Sequence, residues 1–199
     1  MRERKPRKPQ ERAAVTRELL LTAAEQVFAR VGYEAAQVEQ IAEAAGFSKG
    51  ALYAHFKSKE ELFLALYEVK TAASFARLER GMEGAATREE KIEAFRSFYI
   101  SLSKEKDWAL IALEVKMFVR RHPAVREKLS KIDERVGEGI DGALRGLFGK
   151  SARAAGEALG GIVSALVMEA DLEPEAISER KMRAMLGIIF DALLGLNRV

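Results

Sequence analysis

An all-α fold is predicted for this 199-residue chain, and three observations predict it. Apolar residues recur at the three- and four-residue spacing of an amphipathic helix along most of its length. Nowhere does a sustained alternation of period two mark a half-buried strand. Helix-starting and helix-stopping residues stand at the ends of the apolar stripes. The pattern reads as about nine helices and no sheet. A small N-terminal three-helix part holds a helix-turn-helix, and a larger helical part follows. No repeat at a fixed period is present.

The elements follow in order. Residues 1–11 have two prolines, several Lys and Arg and no apolar periodicity, the pattern of a flexible basic arm. From Arg12 the pattern turns helical. Val15, Leu19, Ala23 and Val27 recur every four residues, with Leu20, Ala24, Phe28 and Val31 beside them, and Gly32 ends the stripe as a left-handed cap. Val38, Ile41, Ala42 and Ala45 share one face of a second, short helix that Gly46 stops. Ser48 is placed to N-cap a third helix running to Phe56. Ser58 opens a fourth, and Glu61 completes its capping box, ahead of an apolar face of Leu62, Phe63, Leu66 and Tyr67. Thr87 and Glu90 form another capping box before Ile92, Phe95, Phe98, Tyr99 and Leu102. A helix over 108–121 is interrupted by Pro123, which opens the next, to Phe148. The last two cover 152–170 and, with Pro174 in the first turn, a stretch reaching Leu196. Gly139, Gly142, Gly146 and Gly149 would share a helix face, which serves close packing, or else this stretch is partly looped. The domain boundaries that follow are an arm at 1–11, a helix-turn-helix domain at 12–57 and a ligand-binding and dimerisation domain at 58–199.

Composition narrows the function. Hydrophobic residues make up 48% and charged residues 32%, enough apolar material for a core. The absence of cysteine excludes disulfides and thiolate metal sites and fits a reducing cytoplasm. The basic N-terminus has no apolar stretch after it and does not read as a signal peptide. The longest late run without charge, 158–168, has 11 residues, too short to span a bilayer, so no membrane partner is expected. The whole net charge of +3 sits in residues 1–60, which hold 11 Lys and Arg against 8 Asp and Glu. A basic end on a neutral body suits a phosphate-facing module, or serves only as a solvated tail.

A short helix, a Gly-containing turn and a second short helix make a helix-turn-helix. Here these are 37–45, Gly46 with Phe47, and 48–56. Small Ala42 and Ala45 let the helices approach, and the second helix would offer Lys49, Gly50, Ala51, Tyr53, Ala54 and His55 to a major groove. The run Val38-Glu-Gln-Ile-Ala-Glu-Ala-Ala-Gly-Phe-Ser-Lys-Gly-Ala-Leu-Tyr-Ala-His-Phe-Lys-Ser-Lys-Glu-Glu-Leu62, with Gly32-Tyr-Glu-Ala before it, resembles the DNA-binding domain of the tetracycline-repressor (TetR) family. The resemblance is dense over about 50 residues; beyond them it extends only to length and helical character. It implies that Tyr53, His55 and Lys59 contact or frame the DNA backbone and that Lys49, Gly50 and Ala51 read bases, with Val38 nearby and Ser48 at the helix start. Lys59 also lies in a first helical turn, where amides can face phosphate. Gln37 departs from the Thr or Ser common in the family and is a poorer N-cap, though it can still donate to a phosphate.

Other motifs fail. Gly46-Phe-Ser-Lys-Gly50 has the letters of a hydrolase nucleophile elbow but follows a helix where that motif needs a strand. Gly149-Lys150-Ser151 ends like a phosphate-binding loop, but Leu144 stands where the first glycine is required. His122 in Arg-Arg-His-Pro reads as a helix-end residue and not a metal ligand. No catalytic residue, metal or cofactor is expected.

From residue 64 onward the apolar content can enclose a cavity. Phe95, Phe98, Tyr99, Trp108 and Phe118 are the expected wall of a mostly apolar effector pocket. Glu114 shares a stripe with Ile111 and Phe118; its carboxylate meets a cationic ligand there or pairs with Arg120 or Arg121. Leu159, Ile162, Val163 and Leu166, and Met185, Leu186, Ile189 and Phe190, form two apolar faces for a four-helix homodimer contact, or are intramolecular core. The family's interface lies in its last helices, so the resemblance implies the contact. The expected protein is a cytoplasmic, homodimeric repressor that binds a near-palindromic double-stranded operator and is released by a small-molecule effector. A DNA-binding protein without a ligand and a helical enzyme are the alternatives.

Overall fold

The computed structural model describes residues 9–173, 175 and 177–194, the side chains of 9, 136–143 and 153 excepted. Residues 1–8 of the expected arm, Pro174 and the end of the last helix near Leu196 lie outside the described residues. Within them the chain forms nine α-helices and two one-turn 3-10 helices, and no strand. These are α1 (Pro9–Ala35), α2 (Val38–Ala44), α3 (Lys49–His55), α4 (Lys59–Glu83), α5 (Arg88–Leu102), α6 (Lys106–Arg121), α7 (Arg126–Phe148), α8 (Ala152–Leu172) and α9 (Glu179–Leu193). The 3-10 turns, Pro123–Val125 and Gly149–Ser151, lead into α7 and α8. The chain divides into two compact units, Met1–Leu66 and Tyr67–Val199.

The first unit buries Leu20, Ala24, Phe28, Ile41, Leu52, Phe56, Leu62 and Phe63 almost completely. Phe28 meets Phe63 edge-on with centroids 4.9 Å apart, and Tyr33 stacks on Phe63 at 4.6 Å. Two residues of the expected α1 stripe, Leu19 and Val31, are instead exposed, while Leu21 is buried. A row of four-residue steps advances about 40° beyond a full turn at each step and rotates out of the core. Helix α1 begins at Pro9, three residues before the apolar pattern does, because Pro is suited to a first helical turn. Gly32 breaks its helical run at φ 76°.

In the second unit α8 packs against α6 and α7 and touches α5. Phe95 is its aromatic centre, with Tyr99, Phe148 and Phe190 at 5.0, 5.3 and 5.5 Å. Arg96 of α5 pairs with Asp191 of α9. Thr87 and Glu90 form the expected reciprocal cap on α5. Helix α9 starts at Glu179, later than expected, because the Ser178 hydroxyl accepts the Lys181 amide and sets the start there. Gly149 does not continue the glycine face of α7; at φ 55° it ends the helix.

Candidate nucleic-acid interface and cavity

Helix α2 ends in a turn that only glycine makes without strain. The Gly46 amide donates to Glu43 O at 2.9 Å and the Phe47 amide to Ala42 O at 2.8 Å, the paired bonds of a Schellman cap. Gly46 sits at φ 76°, and an added Cβ would meet nothing within 4 Å, so the need is conformational and not steric. Ser48 then caps α3, its Oγ accepting the Ala51 amide at 3.2 Å. Leu52 and Phe56 are buried beneath α3, and the Arg17 guanidinium lies over the Phe56 ring at 5.2 Å. What α3 leaves outside is Lys49, Gly50, Tyr53 and Ala54, with Ala51 and His55 half-buried. A Cβ on Gly50 would meet only Ser48 Oγ, at 3.8 Å, so this face is flat and open to a close-approaching surface.

Lys49 is held across the turn by Glu39 of α2 at 2.5 Å, and its ammonium is 5.9 Å from the Tyr53 ring centre. Their hydrogen bond draws the Glu39 carboxyl below the usual carboxylate range and lifts the Lys49 ammonium above its own. Both side chains are exposed, so the pair is weak and can exchange one partner for another. Gln37 is exposed and starts α2 without a side-chain cap bond.

Two of the expected DNA contacts have other occupations. Val38 is buried in the core of the unit. The Lys59 ammonium donates to Tyr33 O at 2.7 Å and to Glu34 O and Ala36 O at 3.1 Å each, and lies 4.5 Å from the Tyr33 ring centre. Burial first, then Glu60 and Glu34, push the Tyr33 phenol up to about 12, so the ring beneath the ammonium is neutral. An ammonium has three donors, and all three are used, two on the last turn of α1 and one on Ala36 just after it. Lys59 therefore clamps α4 to the segment leading into α2 in the DNA-free chain, a framing role beside the phosphate contact expected of it. The capping box of α4 is also shifted by one residue. Ser58 Oγ accepts the Glu61 amide, but the Glu61 carboxylate takes the Lys57 amide at 2.8 Å.

The second unit contains a cavity of about 170 Å³. Tyr67, Thr71, Ser74 and Phe75 of α4 line it, spaced as one helical face. Phe98, Tyr99 and Leu102 come from α5, Trp108, Ala112 and Lys116 from α6, Asp133 from α7, and Gly156, Glu157, Gly160 and Ser164 from α8. Of the expected wall, Phe98, Tyr99 and Trp108 are there. Phe95 belongs to the aromatic core, Phe118 lies against His122 at 4.4 Å, and neither Ile111 nor Glu114 reaches the cavity. Wall and core residues alternate around the same helices, so composition alone does not separate them. The polar wall was missed, although the spacing of Tyr67, Thr71 and Ser74 along one face of the amphipathic α4 was a usable signal. Tyr99 donates to Gly156 O at 3.0 Å, and burial pushes its phenol well up.

The two expected dimer faces divide. Leu159, Val163, Leu186 and Phe190 are completely buried within the single chain. Those four are core, because a helix packed on its own neighbours spends its innermost positions there. Ile162 and Met185 are exposed, and Leu166 and Ile189 are half-buried. Sequence reasoning missed Ile188, 65% exposed, Leu193 at 46% and Leu172 at 69%. Among the described residues no helix is long and apolar enough to cross a membrane, and no acid and histidine cluster could hold a metal.

The family model for bacterial regulatory proteins of the tetR family matches residues 20–66. The chain is 28% identical over 130 residues to the fatty acid metabolism regulator protein of Bacillus subtilis, covering 65% of this chain and 63% of that one. It is 34% identical over 113 residues to the HTH-type transcriptional repressor AcnR of Corynebacterium efficiens, covering 57% and 55%. The chain thus spans a little over half to just under two thirds of these relatives' lengths. Its fold is similar to that of the transcriptional regulator FadR of Bacillus subtilis, solved in complex with stearoyl-CoA. The TM-score there is 0.68 at 22% identity, over 89% of this chain and 97% of that one.

Proposed function

Because the chain belongs to the tetR family of bacterial regulatory proteins, we propose that it is a cytoplasmic transcriptional repressor that binds a near-palindromic operator as a homodimer and leaves it when a small molecule fills the cavity. The observation that carries the reading is the α2–α3 unit. Its turn is built on Gly46, its second helix is capped by Ser48, and its free face presents Lys49, Gly50, Ala51, Tyr53 and His55. Such a helix fits the major groove, where Lys donates to guanine O6 or N7 and Ala touches a thymine methyl. Tyr53, His55 and Gln37 have donors for phosphate oxygens at the groove edge.

One short helix reads few base pairs, so specificity needs two half-sites about 34–36 Å apart or a multiple of that. The apolar residues left exposed on α8 and α9, Ile162, Met185, Ile188 and Leu193, support a two-fold contact there. Helix α4 supplies the coupling. It carries the Lys59 clamp at its first residue and cavity residues from Tyr67 to Phe75. A ligand that favours one position of α4 shifts the population between operator-competent and incompetent dimers, by no more than its differential affinity for the two. Selection from random duplexes should return an inverted repeat bound at moderate salt. Binding that ignores sequence and follows salt alone would sink this reading.

A further inference from the structure

Glu39 is an acid where a DNA-binding unit has reason to avoid one. It lies in the first turn of α2, and the first helix of a helix-turn-helix crosses the phosphate backbone, which repels a carboxylate. Yet Glu39 does not turn away. Its Oε1 lies 2.5 Å from Lys49 Nζ at the head of α3, so the carboxylate is held beside the base-reading end of the second helix. That hydrogen bond, first among the causes, draws the Glu39 carboxyl below the usual carboxylate range, and an ionised carboxylate is an acceptor only. The Tyr53 ring centre, one turn further along α3, is 5.9 Å from the same ammonium. Lys49 and Glu39 are 54% and 55% exposed, so the pair is open to an approaching surface.

A donor beside an acceptor has a complement among the base pairs. In the major groove guanine shows two acceptors, N7 and O6, and its cytosine shows one donor, the N4 amine. Guanine O6 and cytosine N4 are hydrogen-bonded to each other and stand about 2.9 Å apart. The Lys49–Glu39 separation of 2.5 Å is close to that spacing. Of the three ammonium donors one stays on Glu39, which leaves two for O6 and N7. The carboxylate then accepts the free hydrogen of N4. Turned round, the same base pair sets acceptors against the carboxylate and a donor against the ammonium. A T·A pair has O4 and N6 in the right order, but it brings adenine N7 toward the carboxylate and the thymine methyl toward the ammonium.

Resting on the reading of α2 and α3 as a major-groove module, we propose that Glu39 is a specificity residue: with Lys49 it reads one G·C pair in each half-site, the carboxylate on the cytosine amine and the ammonium on the guanine. A lone carboxylate would be repelled from a groove lined by phosphates. One that brings its own cation enters as a neutral pair, and the attraction within the pair grows as water leaves. Glu39 lowers affinity for duplexes in general and returns selectivity, because it rejects a base that presents an acceptor to it.

The test uses the full chain, selection from random duplexes, and titration of the selected operator with each base pair exchanged in turn. The parent should select one fixed G·C pair at the same place in both half-sites, and turning it to C·G should cost about ten-fold or more. Glu39→Ala should reduce that preference about ten-fold, mainly by tightening binding to the exchanged duplexes. Lys49→Ala should act at the same position, and the double variant should lose less preference than the two losses multiplied. Circular dichroism melts confirm that each variant is folded. Glu39→Gln, which keeps an acceptor without the charge, should lose about two-fold of the preference and stands in if Glu39→Ala is not folded. Losses at different positions, or a folded Glu39→Ala with its preference intact, overturn the proposal. So does a Lys49→Ala that weakens every duplex alike and lessens the salt slope by about one unit, for Lys49 then serves a phosphate. An inverted repeat without a fixed G·C pair brings down this proposal alone. A parent that selects no inverted repeat brings down the operator reading, and this proposal with it.

Discussion

At the scale of single residues, Lys59 and Lys49 show how the same side chain acquires different work. Lys59 has its three donors on three carbonyls and an aromatic ring beneath it. Lys59→Met keeps the stem and removes the charge. It should destabilise the chain by about 1–3 kcal/mol, the cost of leaving partly buried acceptors unsatisfied. Operator affinity should fall with the displaced α2, while the slope of log affinity against log salt stays the same. A slope smaller by about one unit would show that Lys59 is also a phosphate contact. Lys49 is the reverse case, an exposed cation lent to Glu39. Glu39→Gln should strengthen binding to every duplex about two- to five-fold by freeing the ammonium and removing a repelling carboxylate. A weaker complex would show that Glu39 positions Lys49 instead of restraining it.

At the scale of elements, caps decided boundaries wherever a polar side chain found an amide. The α5 cap is complete, with Glu90 Oε2 accepting the Ala86 amide at 2.7 Å and the Thr87 amide at 3.1 Å. These bonds, that from the Thr87 amide first, hold the Glu90 carboxyl below its usual range. A depressed folded pKa adds stability that is present above the unfolded value, about 4.3, and is lost as pH falls through the folded one. Glu90→Gln keeps an acceptor without the titration. Its melting temperature should lie below the parent's near neutrality, and the gap should close on acidification from about pH 6 to about pH 3. A gap that stays constant would mean that the charge contributes nothing. The capping box at 87–90 and the Gly46 stop were legible because they are local, needing only residues within one turn. The start of α9 was misplaced at Pro174 because two adjacent signals competed and Ser178 took the cap.

At the scale of the whole molecule, the exposed apolar residues of α8 and α9 are where the proposed two-fold contact can be tested. Ile188 is 65% exposed, so Ile188→Glu disturbs no core of the single chain. If α9 forms the two-fold contact, light scattering should show monomers, and operator binding should drop at least ten-fold although the α2–α3 unit is untouched. A dimer that persists with normal binding would place the interface elsewhere. Leu186→Glu is the contrasting change: Leu186 is fully buried, and a charge there should unfold the second unit, whatever the oligomeric state.

The sequence by itself determined the all-helical architecture, the turn at Gly46, the cap at Ser48 and the resemblance of residues 20–66 to the tetR family. Each of these is written in neighbouring residues, since periodicity, capping and turn conformation act over three to five positions. Tertiary structure alone decided the rest. It sent Leu159, Val163, Leu186 and Phe190 inward and Ile188 outward on helices whose apolar arcs are wide enough for either. It placed Lys59 on carbonyls more than twenty positions earlier in the chain. It joined Tyr67, Asp133 and Glu157, from three helices, into one cavity wall. A helix face records which residues avoid water, but which neighbour they meet depends on how distant segments pack. That information is shared among elements and belongs to none of them.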